Sequence, residues 1–371
     1  MKILLYIALF VISVILAKFI WVLIMTIRLG SFESEKNDIL GRAEYLLNET
    51  CTTPENIINK MPSYIGRHFQ GEWAIYTLSM TSLALANIAT LYPDTKTWVS
   101  KGIDGLIQTA LSDEIKEYDI VACGNNPNKG HLSYYSLVAL MISAYRYASD
   151  DGKYNLLHAS LIEKLYNQIR DSENLNIGTY PGQPIYVPDM AAAIAALAIY
   201  PSGYFKPFVK EWVDYMKHNY IDPETGLIAS TINEYKDNVL GSYTALTIYY
   251  LTFIDEEFAC EQYALFKKHF LKTGLLTGIK ERTDGSSNGI FTIDSGPVLF
   301  GLSPSGTAFG ISGATYFKDW STRNKMLRTG EIAGFSTMKN QRHYLLSNVA
   351  LVGEAIVLAM RTAIKWNVHN L

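Results

Sequence analysis

The chain has 371 residues, of which 49% are apolar and 18% charged, with a formal charge of −3. That balance supplies a large core and excludes global disorder. Beyond residue 30 it carries 29 basic against 35 acidic side chains and no basic block, a poor match to nucleic acid as a partner.

Residues 3–27, ILLYIALFVISVILAKFIWVLIMTI, are apolar apart from Ser13, Lys18 and Thr26. As a helix they reach about 37 Å, enough to span a bilayer with tilt. We expect residues 1–30 to form an uncleaved transmembrane or signal-anchor helix, with Lys18 snorkelling from past its middle. The alternative is a signal peptide cut after Ala17. It puts Ile15 at a position that favours small residues and leaves FIWVLIMTI at the new terminus. A third option buries the segment as a hairpin helix inside a homo-oligomer. Basic residues flank both ends, so orientation is weakly determined; the globular part, residues 31–371, is expected to be one extracytoplasmic domain. Cys51, Cys123 and Cys260 fit no metal motif and allow either one disulfide, Cys51 to Cys123, or three free thiols.

Beyond residue 31 one helix follows another. Five segments are apolar nearly all round: 73–92, 137–148, 190–200, 245–254 and 348–360. Helices of that kind belong inside a bundle or barrel. Each of the first four precedes an amphipathic helix, as in FKPFVKEWVDYMKHNY (205–220), where Phe208, Val209, Trp212, Val213 and Met216 share one face. The buried helices start near Glu72, His131, Asp189, Ser242, Asp294 and Ser347, at intervals of 59, 58, 53, 52 and 53 residues. Even spacing with two helices per unit predicts an all-α toroid of helical hairpins, an (α/α)5–6 barrel. The fifth unit is blurred by Gly and Pro. Its inner helix is expected from about Gly306 and its outer helix near 322–331.

Parallel inner helices put their N-termini at one mouth. The turn-rich loops lead there: NNPNKG, YPGQPIYVPD, DPETG with KDN, TDGSSNG and IDSGP, of which DPETG (222–226) predicts a small hairpin lip. Polar groups at matching places then converge on one pocket: Glu72 with Trp73, His131 with Tyr134 and Tyr135, Asp189, Tyr243, and Asp294 with Ser295. Asp189 and Asp294 also suit plain helix caps, and the tyrosines suit a core. A helix N-terminus opposes a charged imidazole, which fits His131 as a proton acceptor or relay. Together these groups suit general acid–base chemistry. No phosphate loop, dinucleotide glycine pattern, HExxH or GxSxG is present, so the expected cofactor is none and the expected metal is none.

KGHLSYYSLVALMISAYRY (129–147), YIDPETGLIASTINEYKD (220–237) and GSYTALTIYYLTFIDEEFACEQYALFKKHF (241–270) resemble, in order and separation, segments of the linalool dehydratase/isomerase family of (α/α) barrels. The resemblance covers roughly residues 70–275. It implies a cofactor-independent lyase or isomerase acting on an allylic alcohol, with active-site residues at His131 and Tyr243. The family's two active-site cysteines are replaced, and Tyr180 and Asp189 of GTYPGQPIYVPDM (178–190) stand in their place. The expected function is therefore a membrane-anchored acid–base enzyme, with Asp189, His131 and Tyr243 catalytic. Its substrate is a small apolar alcohol or sugar-like molecule, and Glu72, Trp73, Tyr134, Tyr135, Tyr180, Tyr186, Asp294 and Ser295 bind it. A carbohydrate-active barrel, glycosidase or lyase, is the alternative, with aromatic side chains stacking on sugar. A non-catalytic barrel that binds a lipid or protein partner is the other.

Overall fold

The apolar segments do become the inner wall of a barrel. The computed structural model describes residues 2–201, 203–232, 239–286, 289, 291–337 and 342–367. The KDN stretch (236–238) and Ser287 and Asn288 of TDGSSNG lie outside the described residues. In chain order the helices are α1 (Lys2–Thr26), α2 (Phe32–Thr50), α3 (Pro54–Asn59), α4 (Gly66–Leu91), α5 (Lys96–Ala110), α6 (Asp113–Cys123) and α7 (Leu132–Ala148). They continue as α8 (Asn155–Arg170), α9 (Val187–Ala198), α10 (Lys206–Asn219), α11 (Gly241–Ile254), α12 (Glu256–Phe270), α13 (Pro304–Tyr316), α14 (Trp320–Gly334) and α15 (Leu351–Arg361).

Helices α4, α7, α9, α11, α13 and α15 pack each on the next, and α15 returns to α4, so six inner helices close a ring. Around them lie α2, α5, α8, α10, α12 and α14. The fold is an (α/α) barrel of six units. The inner helices run the same way. Near their leading ends the Leu351 N–H donates to the Lys60 carbonyl just ahead of α4, and past their trailing ends Trp366 donates to Asn87 Oδ1 at 2.7 Å. Helices α3 and α6 are additions that pack on α4.

The glycines that blur the fifth unit have a packing reason. A Cβ at Gly313 would fall 2.5 Å from the Tyr263 ring, so α12 can close on α13 only across a bare backbone. Short antiparallel pairs bridge the mouth loops, including Ile185–Tyr186 with Thr231–Ile232. The predicted lip at DPETG is a hairpin closed by the Ile221–Ile228 bridge. The proposed Cys51–Cys123 disulfide does not form: all three cysteines are free.

Helix α2 closes the ring between the last unit and the first, and it does so with charge. Its Glu35, Asp38 and Arg42 meet Arg323 and Glu331 of α14, Arg342, and Glu354 and Arg361 of α15. Arg42 reaches Glu354 at 2.5 Å, Glu331 at 3.0 Å and Asp38 at 3.2 Å. Arg323 grips both Glu35 oxygens at 2.8 Å, and Arg361 bonds Glu35 at 2.8 Å and Asp38. Four guanidinium groups balance four carboxylates, and Arg42 and Arg323 are fully buried. Burial pushes the Asp38 carboxyl up, but the Arg361, Arg42 and Arg342 charges hold it well below the usual carboxylate range. Glu35 is lowered by the same balance, through Arg323 and Arg361.

Removing one member strands its partners without water. Arg42→Ala is expected to cost about 3–5 kcal/mol in urea unfolding, whereas Arg67→Ala, which breaks an exposed pair with Glu55, is expected to cost less than about 1 kcal/mol. The depressed carboxyls fix the pH window. Their contribution is whole above the unfolded values near 4 and is lost as pH falls below them, so parent and Arg42→Ala converge in strong acid.

Candidate active site

Glu72 lies in the second turn of α4 and Tyr76 one turn further on the same face. Across the ring, Asp189 stands in the first turn of α9, where Pro188 fixes the approach of the chain. The Tyr76 hydroxyl donates to Asp189 Oδ1 at 2.9 Å, and the Thr179 hydroxyl to Oδ2 at 2.5 Å. Asp189 thus has both oxygens bonded. The Tyr180 phenol stands beside the Glu72 carboxyl. On the α11 side Tyr243 donates to Asp294 Oδ2 at 2.7 Å, and its ring meets Tyr186 edge-on at 5.8 Å.

These groups sense one another. Burial pushes the Glu72 carboxyl up to about 8, helped by the neighbouring charges of Asp189 and Asp294. Burial also raises Asp189, opposed by its bonds from Thr179 and Tyr76. Asp294 is raised by burial and eased by Tyr243. Glu72 and Asp189 remain half-buried and Asp294 is open to solvent. The open face of Asp294 limits how far burial can raise it.

The structure brings together Glu72, Tyr180, Asp189, Tyr186, Tyr243 and Asp294. It does not bring His131 to them. His131 takes a left-handed backbone (φ 64°) just ahead of α7, its ring is buried, Nδ1 bonds Asp119 Oδ2 at 2.6 Å, and Nε2 bonds the Asn126 carbonyl at 3.1 Å. Both nitrogens are spent pinning α6 and the 124–130 loop, so the ring has none left for a substrate proton. Tyr134 and Tyr135 are buried and donate to the carbonyls of Ala110 and Pro127. Ser295 is buried and ties its own loop to Thr292 and Gly296. Trp73 is half-buried against the apolar core.

Sequence reading missed Tyr76, Thr179 and Glu281. Tyr76 had a signal, the four-residue interval from Glu72. Thr179 is the neighbour of Tyr180 in a loop, and only folding shows which of the two turns to Asp189. Glu281 is buried, accepts from Ser242 at 2.7 Å and senses Asp294. Among the described residues the one cluster with metal-ligand spacing is Asp119, Cys123 and His131. Its imidazole already bonds the carboxylate, and burial pushes the Cys123 thiol up to about 11, away from the thiolate a metal needs. A cavity of about 140 Å³ lies beside α6, lined by Arg67, His68, Gly71, Glu117 and Tyr118.

No family model matches the chain, and no curated protein matches it in sequence. Solved structures do match it in shape. An alpha-1,6-mannanase, GH76A of Salegentibacter sp. HEL1_6, has a TM-score of 0.52 at 11% identity, over 87% of this chain and 97% of that one. An inactive variant of it, with two consecutive aspartates replaced and alpha-1,6-mannotetrose bound, has a TM-score of 0.54 at 12% identity, over the same shares. The neighbours share the (α/α) barrel fold. Of the resemblance to linalool dehydratase/isomerase, the barrel is the part that stands.

A carboxyl raised in the folded state holds a proton that the unfolded chain has lost. Stability therefore falls as pH rises from the unfolded value of Glu72 through its folded value. Glu72→Gln should flatten that slope: relative to the parent, the variant gains in urea unfolding between pH 5 and pH 9.

Proposed function

We propose that the chain is a membrane-anchored, cofactor-independent glycoside hydrolase, with its site at the mouth of the inner helices. The observation that carries this reading is the unequal treatment of two facing carboxyls. Asp189 accepts two hydroxyl donors, which favours its charged form over that of a carboxyl without donors. Burial raises Glu72 to about 8 against the Tyr180 hydroxyl beside it, so it keeps its proton near neutral pH. One protonated and one ionised carboxyl are the two parts that glycoside cleavage uses. Glu72 protonates the leaving oxygen, and Asp189 supports the oxocarbenium-like centre or activates water. Tyr243, Asp294 and Tyr186 offer hydroxyls and a ring edge to the sugar. The shape shared with mannanases favours this class over a lyase, as does the engagement of His131 elsewhere.

The inactive neighbour has two consecutive aspartates replaced. This chain's only Asp-Asp pair, Asp150 and Asp151, follows the trailing end of α7, away from the mouth. The carboxyls in this proposal come from separate helices instead. The anchor is α1, apolar and almost wholly exposed, with a mean hydropathy of 2.8. Among the described residues the other helix long and apolar enough to cross a membrane, Ser63–Leu91, is 78% buried as a barrel wall.

The test begins with alpha-1,6-linked manno-oligosaccharides and extends to other linked sugars, with product release read by chromatography. Asp189→Asn and Glu72→Gln are each expected to lower kcat at least about 100-fold while oligosaccharide binding persists. Turnover unchanged in both variants would remove this pair from the mechanism.

A further inference from the structure

Helix α1 runs antiparallel along α14. Lys18 bonds the Glu331 carbonyl at 3.4 Å and lies over the Phe335 ring, Trp21 stacks on Phe335 at 5.8 Å, and Phe32 meets Trp320 at the other end of α14. The predicted snorkelling of Lys18 is therefore replaced by a seat on the barrel. Outer helices run opposite to inner ones, so the C-terminal end of α14 is at the mouth. Residues 3–17 of α1 project past that end, and all of them are exposed.

Length then makes a demand. Fifteen free residues give about 22 Å of helix, and a hydrocarbon core is about 30 Å thick. Spanning it requires the helix to be immersed to about Val22. Val22 is already buried against the barrel, level with Phe335. The rim beside α14 must therefore sit at the boundary of the acyl chains.

The rim is built for that place. Large exposed apolar side chains cluster in the segments leading to α4, α7, α13 and α15, among them Tyr64, Val121 on α6, Phe291, Phe300, Leu346 and Val349. Three of these four helices, α13, α15 and α4, are consecutive in the ring, and α7 follows α4. Helix α14, on which α1 is seated, lies between α13 and α15, within this arc. Among the described residues the loops to α9 and α11 carry none. The opposite end of the barrel has Trp98, Leu156 and Tyr204, each at the start of a separate outer helix.

Phe300 is held outward at some cost. It sits at φ 54° followed by Gly301 at φ 70°, a tight turn closed by reciprocal bonds between Leu299 and Leu302 at 3.1 and 3.0 Å. A left-handed backbone is unfavourable for a bulky residue. Lys272 clamps the turn through the Phe300 carbonyl at 2.9 Å, which puts a cation just behind the ring, at headgroup level. A strained turn presenting a phenylalanine that is 74% exposed makes physical sense against an apolar medium.

We infer that the barrel docks mouth-down on the bilayer that α1 crosses, with the α13–α15–α4–α7 arc of its rim in the lipid surface. The α9–α11 side of the rim, which carries Asp189 and Tyr243, is then turned away from the lipid and stays open. The substrate class that reaches such a mouth is a sugar carried on a membrane lipid. The inference rests on the reading of α1 as a membrane span, and the experiment separates the two.

The full chain is reconstituted in phosphatidylcholine vesicles containing brominated lipid, which quenches tryptophan on contact. Phe10→Trp reports insertion of α1, Phe300→Trp and Leu346→Trp report the rim, and Leu156→Trp reports the far end, each as a difference from the parent. The expected result is strong quenching at position 10, at least twofold more quenching at 300 and 346 than at 156, and little at 156. Quenching at 10 with positions 300 and 346 indistinguishable from 156 would overturn the docking while leaving the anchor in place. No quenching at 10 would overturn both. Rim positions shielded from lipid but cross-linked between chains would assign the surface to a second copy and also overturn the proposal.

Discussion

The barrel depends on a buried ionic closure. Six hairpin units make a ring only if the last is joined to the first. That joint is the packing of α15 on α4, held from outside by the meeting of Glu35, Asp38 and Arg42 on α2 with Arg323, Glu331, Glu354 and Arg361 on α14 and α15. Charges that are costly to bury meet their partners only when the two ends of the arc come together, so this set specifies closure more than it adds stability. Tyr344 adds to the seal: its ring lies under the Arg42 guanidinium at 4.2 Å.

Closure has a consequence at the mouth. Glu72 on α4 belongs to the first unit, Asp189 to the third, and Asp294 to the loop ahead of α13. These residues are far apart in the chain, and they share one electrostatic environment only because the six inner helices point the same way around a closed ring. The same closure fixes α14, and α14 seats α1. The positions of the site and of the apolar helix are thus set by one joint.

Much of this was legible in the sequence. Helices apolar on every face, recurring every 52 to 59 residues, announced the barrel, and the leading carboxyls marked its mouth. The closing helix α2 was not legible, because a helix that buries Glu35 and Arg42 has the composition of a surface helix. His131 was misread for a related reason. Its place at the head of an inner helix was correct, but α6, an addition outside the repeat, supplies Asp119 and draws the ring away from the cup. Tyr134 and Tyr135 went the same way, into bonds with local carbonyls. In the loop to α9, Thr179 and Tyr180 divide between Asp189 and Glu72, a choice that residue type alone does not reveal.

The central claim is that the mouth holds a carboxyl, Glu72, that keeps its proton at neutral pH beside Asp189, whose charged form is favoured by two hydroxyl donors. Infrared difference spectroscopy of the parent against Glu72→Gln reads it directly, through the carbonyl stretch of a neutral carboxylic acid. The account predicts such a band at pH 7, absent in the variant and fading in the parent with a midpoint near 8. A Glu72 that is fully ionised at pH 7, with no neutral-acid band to lose, would contradict it.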